Sequence, residues 1–136
     1  MTLEQAIARL RELNEPVPKP FRQPTSSEVA QMEKELGVSF HPDYVRFLLG
    51  ASDVAVGVLE PGTITNPESH THLTTVVSSA RKYGVPTSLF PFCADNADFY
   101  CLSSSGEVIC WSHNGSSTDT WPNLASWIEQ VWIAGA

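Results

Sequence analysis

The stretch from Asp95 to His113, DNADFYCLSSSGEVICWSH, packs three acids, two cysteines, three aromatic residues and a histidine into nineteen positions. Three chemistries could arise there. Cys93 or Cys110 with His113 could form a thiol–imidazole pair, with Asp119 orienting the ring. Asp95 and Asp98 could act as general acid and base. Cysteine and histidine could also hold a metal. The spacing favours none of them. Apolar neighbours raise a thiol's pKa instead of lowering it. Asp95-Asn-Ala-Asp98 has turn composition, in which Asp and Asn bond their own backbone. There is no CxxC pair, and the separation of Cys101 from Cys110 matches no zinc pattern. His70-Thr-His72 reads as a solvated pair. Gly50, Gly57 and Gly62 have neither phosphate-loop spacing. The expectation is therefore no catalytic residue, no metal ligand and no cofactor.

The elements around this stretch explain its density better. Ser103-Ser-Ser-Gly106 separates two strand-like runs, so the segment reads as a hairpin. A tight turn at Ser104-Ser105 would put Cys101 opposite Val108 and Phe99 opposite Cys110. Phe99, Cys101, Val108 and Cys110 would then share one face, and Tyr100, Leu102, Ile109 and Trp111 the other. Both faces are apolar, which calls for a sheet covered on both sides. In that register the two cysteines are diagonal neighbours, too far apart for an unstrained disulfide. A slipped register would bring them opposite each other.

Upstream, Thr2-Leu-Glu-Gln5 and Thr25-Ser-Ser-Glu28 are capping boxes that open two helices. Leu3, Ala6, Ile7, Leu10 and Leu13 line one face of the first; Val29, Met32 and Leu36 line the second, which stops at Gly37. Four prolines in Glu15–Pro24 make an extended connector. Pro42 starts a third helix through Tyr44, Val45, Phe47, Leu48 and Leu49. Val54, Val56 and Val58, then Thr63-Ile-Thr65 after Pro61-Gly62, predict strands. Leu73, Val76, Val77, Ala80 and Tyr83 have helical spacing again, ended by Gly84. Strands are predicted at Leu89–Cys93, Phe99–Leu102 and Val108–Trp111. A last helix from Pro122 to Ile133 carries an apolar stripe of Leu124, Trp127, Ile128, Val131 and Trp132. The order predicts one α+β domain over residues 1–136, with residues 1–24 forming an N-terminal helix plus connector.

The net charge of −7 is unevenly placed. Residues 1–82 hold ten acids against eight Lys and Arg; residues 83–136 hold five acids and neither base. A nucleic-acid groove needs cations, so direct DNA or RNA binding is not expected. The N-terminus lacks the basic start and apolar run of a signal peptide, and no stretch has the apolar length of a membrane span. Three cysteines, an odd number, read as reduced thiols in a cytoplasm-like compartment.

Two segments carry a family resemblance. TSSEVAQMEKELGVSFHPDYVRFLL, residues 25–49, resembles the N-terminal signature of the SUKH superfamily, which includes the Smi/Knr-type cell-wall regulators. That signature is a capped helix ending Glu-x-x-Leu-Gly, a short link, and Pro-x-x-Tyr-x-x-Phe-Leu. Asp98, Tyr100, Leu102, Gly106, Val108 and Trp111 are similar to the family's later hairpin, and the Trp127 helix fits its end. The proline of Phe40-His41-Pro42 lies one place later than usual, and Ala97 stands where a glycine commonly precedes the hairpin's Asp.

The resemblance implies an α+β domain with a central, largely antiparallel sheet, N-terminal helices and a C-terminal helix. It also implies a role by binding, since many bacterial members are immunity proteins that neutralise a polymorphic toxin. On this reading the partner is a basic toxin domain, such as a nuclease, met by the acidic half. Asp95, Asp98, His113, Asp119 and Trp121, at the expected strand ends, are the candidate partner-binding residues. Trp121 is either an aromatic anchor or a staple of the last helix. A regulatory scaffold, helped by an exposed connector, is the alternative; a small thiol enzyme using Cys93, Cys110 and His113 is the third reading.

Overall fold

Two capping boxes begin the chain's helices as read. The computed structural model describes residues 1–114 and 119–136. Thr2 accepts from the Gln5 amide at the start of α1 (Leu3–Leu13), and Thr25 accepts from Glu28 at the start of α2 (Ser26–Leu36). Helix α3 (Pro42–Ala51) has Pro42 in its first turn, and His41 Nδ1 accepts from the Asp43 amide. Helix α4 (Leu73–Tyr83) follows an irregular segment.

Four strands then form one antiparallel sheet in chain order: β1 (Phe90–Asp95), β2 (Asp98–Leu102), β3 (Val108–Ser112) and the two-residue β4 (Thr120–Trp121). Helix α5 (Leu124–Trp127) runs directly into a π-helical stretch, Ile128–Ile133. The molecule is thus α+β, with helices before the sheet and one after it.

The main core lies between one sheet face and the helices α1, α3 and α5. Phe92, Cys93, Leu102 and Val108 meet Leu10, Tyr44, Phe47 and Trp127 there. Trp127 packs edge-on to Phe92 at 4.9 Å and tilts against Tyr100 at 5.1 Å. On the other face, Phe99 and Cys101 join Ala80, Val85, Leu89 and Trp111. The sheet is covered on both sides, as the doubly apolar hairpin requires.

The hairpin register differs by one residue from the tight-turn expectation. Leu102 pairs with Val108, Cys101 with Ile109, Tyr100 with Cys110 and Phe99 with Trp111. Five residues, Ser103–Glu107, make the loop, closed by the Ser103 amide on the Glu107 carbonyl at 2.9 Å. Gly106 holds φ 89° in it, and a Cβ there would lie 2.7 Å from His41 Nε2. The slip moves every β3 side chain to the opposite face. Cys110 therefore shares the main-core face with Tyr100, and Cys101 points to the α4 side. None of the three cysteines is in a disulfide.

Residues 54–65 do not form the predicted strands. Only two isolated bridges occur there, Pro61 with Cys93 and Thr63 with His72. The polar groups of the segment are taken elsewhere. Asn14 Oδ1 accepts from the Ala55 amide, the Glu15 amide donates to the Ala55 carbonyl, and Trp132 Nε1 donates to the Val56 carbonyl. With those groups spent on the α1 end and the C-terminal helix, no ladder remains to be made.

Candidate interaction surface

Antiparallel register gathers three of the five candidate residues at one end of the sheet. Asp95 and Asp98 are the directly opposed pair that ends the β1–β2 hairpin. The two-residue turn between them places Asn96 at φ 59°, a conformation that asparagine tolerates better than most residues. Asp98 also pairs with Ser112, so His113 leaves β3 at the same end. Its Nδ1 stands 4.0 Å from Asp98 Oδ1, and it is exposed. Exposed Asp119 lies opposite the middle of β3, where its carbonyl accepts from the Cys110 amide at 2.9 Å.

Trp121 lies further from that end. It pairs with Val108, towards the other end of β3, and its half-buried ring meets Tyr100 edge-on at 5.9 Å. The aromatic residue beside the acids is Tyr83, 49% exposed, with its ring 5.9 Å from His113 and 5.8 Å from Phe99. The helical pattern hid it: Tyr83 falls on the apolar stripe of α4, but as the last helical residue it projects past the core.

Two cations end α4 beside Tyr83, and Lys82 is exposed. Arg81, close in sequence, turns its Nη1 onto the carbonyls of Val85, Pro86 and Leu89. Opposed like charges such as Asp95 and Asp98 weaken a hairpin.

The thiol and metal readings meet different surroundings. Cys93 and Cys110 both flank Tyr100 on the main-core face, whereas His113 stacks near Tyr83 on the other side. Burial pushes the Cys93 thiol far above its usual range, and the charges of Asp95 and Glu60 add to the shift. Burial likewise pushes Cys101 up to about 12. His70 is exposed against Glu60, but His72 is buried at the start of α4, with Nδ1 2.7 Å from Thr74 Oγ1. The His70/His72 pair is therefore split between solvent and core, not solvated as a pair. Among the described residues no three His, Cys, Asp or Glu side chains converge as metal ligands. No described helix is long and apolar enough to cross a membrane.

A meander sheet backed on one face by N- and C-terminal helices and on the other by α4 defines a small α+β domain class. The chain belongs to the SUKH superfamily: the family model described as SMI1-KNR4 cell-wall (SUKH_5) matches residues 3–133. It is similar to a solved structure described as a protein from Pseudomonas syringae pv. tomato, at 39% identity and TM-score 0.92. That match covers 96% of this chain and 98% of the other. No curated protein matches significantly.

Proposed function

We propose that this SUKH domain is a non-catalytic immunity protein that binds a basic toxin domain and covers its active site. The observation that carries the reading is the acidic sheet end, where Asp95 and Asp98 close the β1–β2 hairpin and His113 stands between Asp98 and an exposed Tyr83. Carboxylates there imitate the phosphates that a nuclease groove attracts, and they steer encounter over a distance of about a Debye length. Tyr83 supplies an amphipathic ring of the kind enriched at binding hot spots. The deeply buried thiols Cys93 and Cys101 suit packing better than nucleophilic attack.

A second reading, the regulatory scaffold, is favoured by one observation. The connector from Glu15 to Pro24 is exposed except for half-buried Phe21 and buried Pro24, a stretch open to several partners.

The test is parallel capture from native lysate with wild type and the triple variant D95N/D98N/D119N, at low and high salt. Recovered domains are then expressed alone and with each form. The immunity reading expects one basic domain, lost with the variant or at high salt, whose toxicity wild type suppresses and the variant does not. Several non-toxic regulators held equally by both forms would replace it with the scaffold.

A further inference from the structure

Away from the sheet end, the connector and the segment 52–63 enclose a cleft of about 400 Å³. Buried Phe47 and Trp132 line it together with Val17, Val54 and Leu59. Gly57 at φ 60° lets this segment turn, and its amide donates to Glu15 Oε1 at 2.9 Å. The lip is apolar, with Val17 40% exposed and neighbouring Val58 87% exposed. Such a shaft takes a long aliphatic stem.

Its polar groups are mainly acceptors. One wall carries a chain of hydroxyls, in which Thr71 Oγ1 lies 3.0 Å from Thr63 Oγ1 and 2.8 Å from Ser69 Oγ. Two contacts and one amide on Ser69 leave lone pairs on these three oxygens unspent. Of the two lining glutamates, Glu60 uses Oε2 on His70 Nε2 at 2.5 Å and Glu15 uses Oε1 on the Gly57 amide. The second oxygen of each carboxylate has no hydrogen bond among the described residues. Asp53, by contrast, is held by Arg11 through both oxygens. The one lysine at the cleft, Lys19, is exposed on the connector.

A second hollow of about 310 Å³ shares Glu60 and His70 and extends to Asp95 and Asn96. The two hollows share a wall at Glu60 and His70, and the second reaches the acidic sheet end. A protein covering that end has surface beside the cleft mouth. Half-used carboxylates and hydroxyl oxygens at an apolar shaft match a planar guanidinium with five donors better than a point-charge ammonium.

We infer that the cleft between Glu15 and Glu60 is a socket for one arginine side chain of the partner protein. Its methylenes lie along Val17, Val54 and Leu59, and its guanidinium meets Glu15, Glu60 and the hydroxyl chain. This rests on the basic protein partner proposed above.

The test needs no partner. N-acetyl-arginine-N-methylamide is titrated into the full chain while the amides of Thr63 and Thr71 and the indole N–H of Trp132 are followed by NMR. The neutral citrulline analogue is run in parallel. The socket expects saturable shifts with the arginine probe, binding about tenfold weaker for citrulline, and a similar loss in E60Q, each equivalent to about 1.4 kcal/mol. Glu60 is exposed, and a dispersed spectrum checks that E60Q is folded. Equal binding of both probes, or no saturable shift with arginine, overturns the socket. The readings fail separately: a bound arginine probe without a captured toxin removes the immunity role and leaves the socket.

Discussion

Three buried groups make predictions at the residue scale. The Tyr44 hydroxyl is buried without a hydrogen-bond partner among the described residues. Leaving such a group unpaired costs about 1–3 kcal/mol, so Tyr44→Phe is expected to leave stability unchanged or raise it by up to that amount. Urea unfolding checks this, and a clear loss would mean that the hydroxyl has a partner in solution. Burial also holds Cys93 and Cys101 as thiols well above neutral pH. Iodoacetamide at pH 8 should therefore leave both unlabelled in the folded chain and modify both in urea, as read by peptide mass. Rapid labelling of Cys93 in the folded state would revive the thiol-enzyme reading. At this scale the acids of the sheet end were legible, because charge and turn composition show in the letters. Tyr83 was not, since its exposure depends on where α4 stops relative to the core.

Individual elements test how local signals meet tertiary ones. Helix α2 opens with its capping box and a bidentate pair, Arg22 to Glu28 at 2.8 and 2.6 Å. The Arg22 hydrogen bonds and then the Thr25 amide hold the Glu28 carboxyl down to about 2 from its ordinary 4.5. A depressed carboxyl stabilises the fold fully above its unfolded pKa and loses that contribution as pH falls through the folded one. The stability gap between wild type and E28Q should therefore be present at pH 6 and close between about pH 4.5 and 2. It will be small, because the pair is solvent-exposed and screened. Denaturant midpoints across that range decide it, and a gap unchanged at the acid end would reject the pairing. In the C-terminal π-helical stretch, Trp132 Nε1 donates to the Val56 carbonyl at 2.8 Å. Trp132→Phe strands that carbonyl and should cost about 1–3 kcal/mol in unfolding experiments. The four N-terminal helical segments were readable because caps and apolar spacing are local. The hairpin register was not, because the loop was settled by Gly106 packing on His41, a contact 65 residues apart in sequence. The alternating valines at 54–58 misled for a similar reason: α1 and Trp132 took the backbone groups that a strand would need.

For the whole molecule, the uneven charge has a stability signature distinct from its binding one. Asp95 faces Asp98 directly across the hairpin end. Relieving that repulsion with Asp95→Asn should raise the melting temperature, with a gain of a few tenths of a kcal/mol up to about 1 kcal/mol. The same change should slow association with a basic partner most at low salt. Calorimetry and stopped-flow mixing measure the two, and a fall in stability would show that the carboxylate serves the fold. Among the described residues, both margins of the meander are also partly blocked. On the β1 margin, Pro91 lacks an amide hydrogen, and the Phe92 carbonyl is already taken by the Gly62 amide at 2.7 Å. On the far side, β4 offers two residues before Pro122 ends it. An intruding strand, from another copy or a misfolded neighbour, finds almost no ladder to extend. Few ladder positions are thus offered to a second chain when the domain is crowded, and the toxin proposed above would be met through side chains, not by borrowing the sheet.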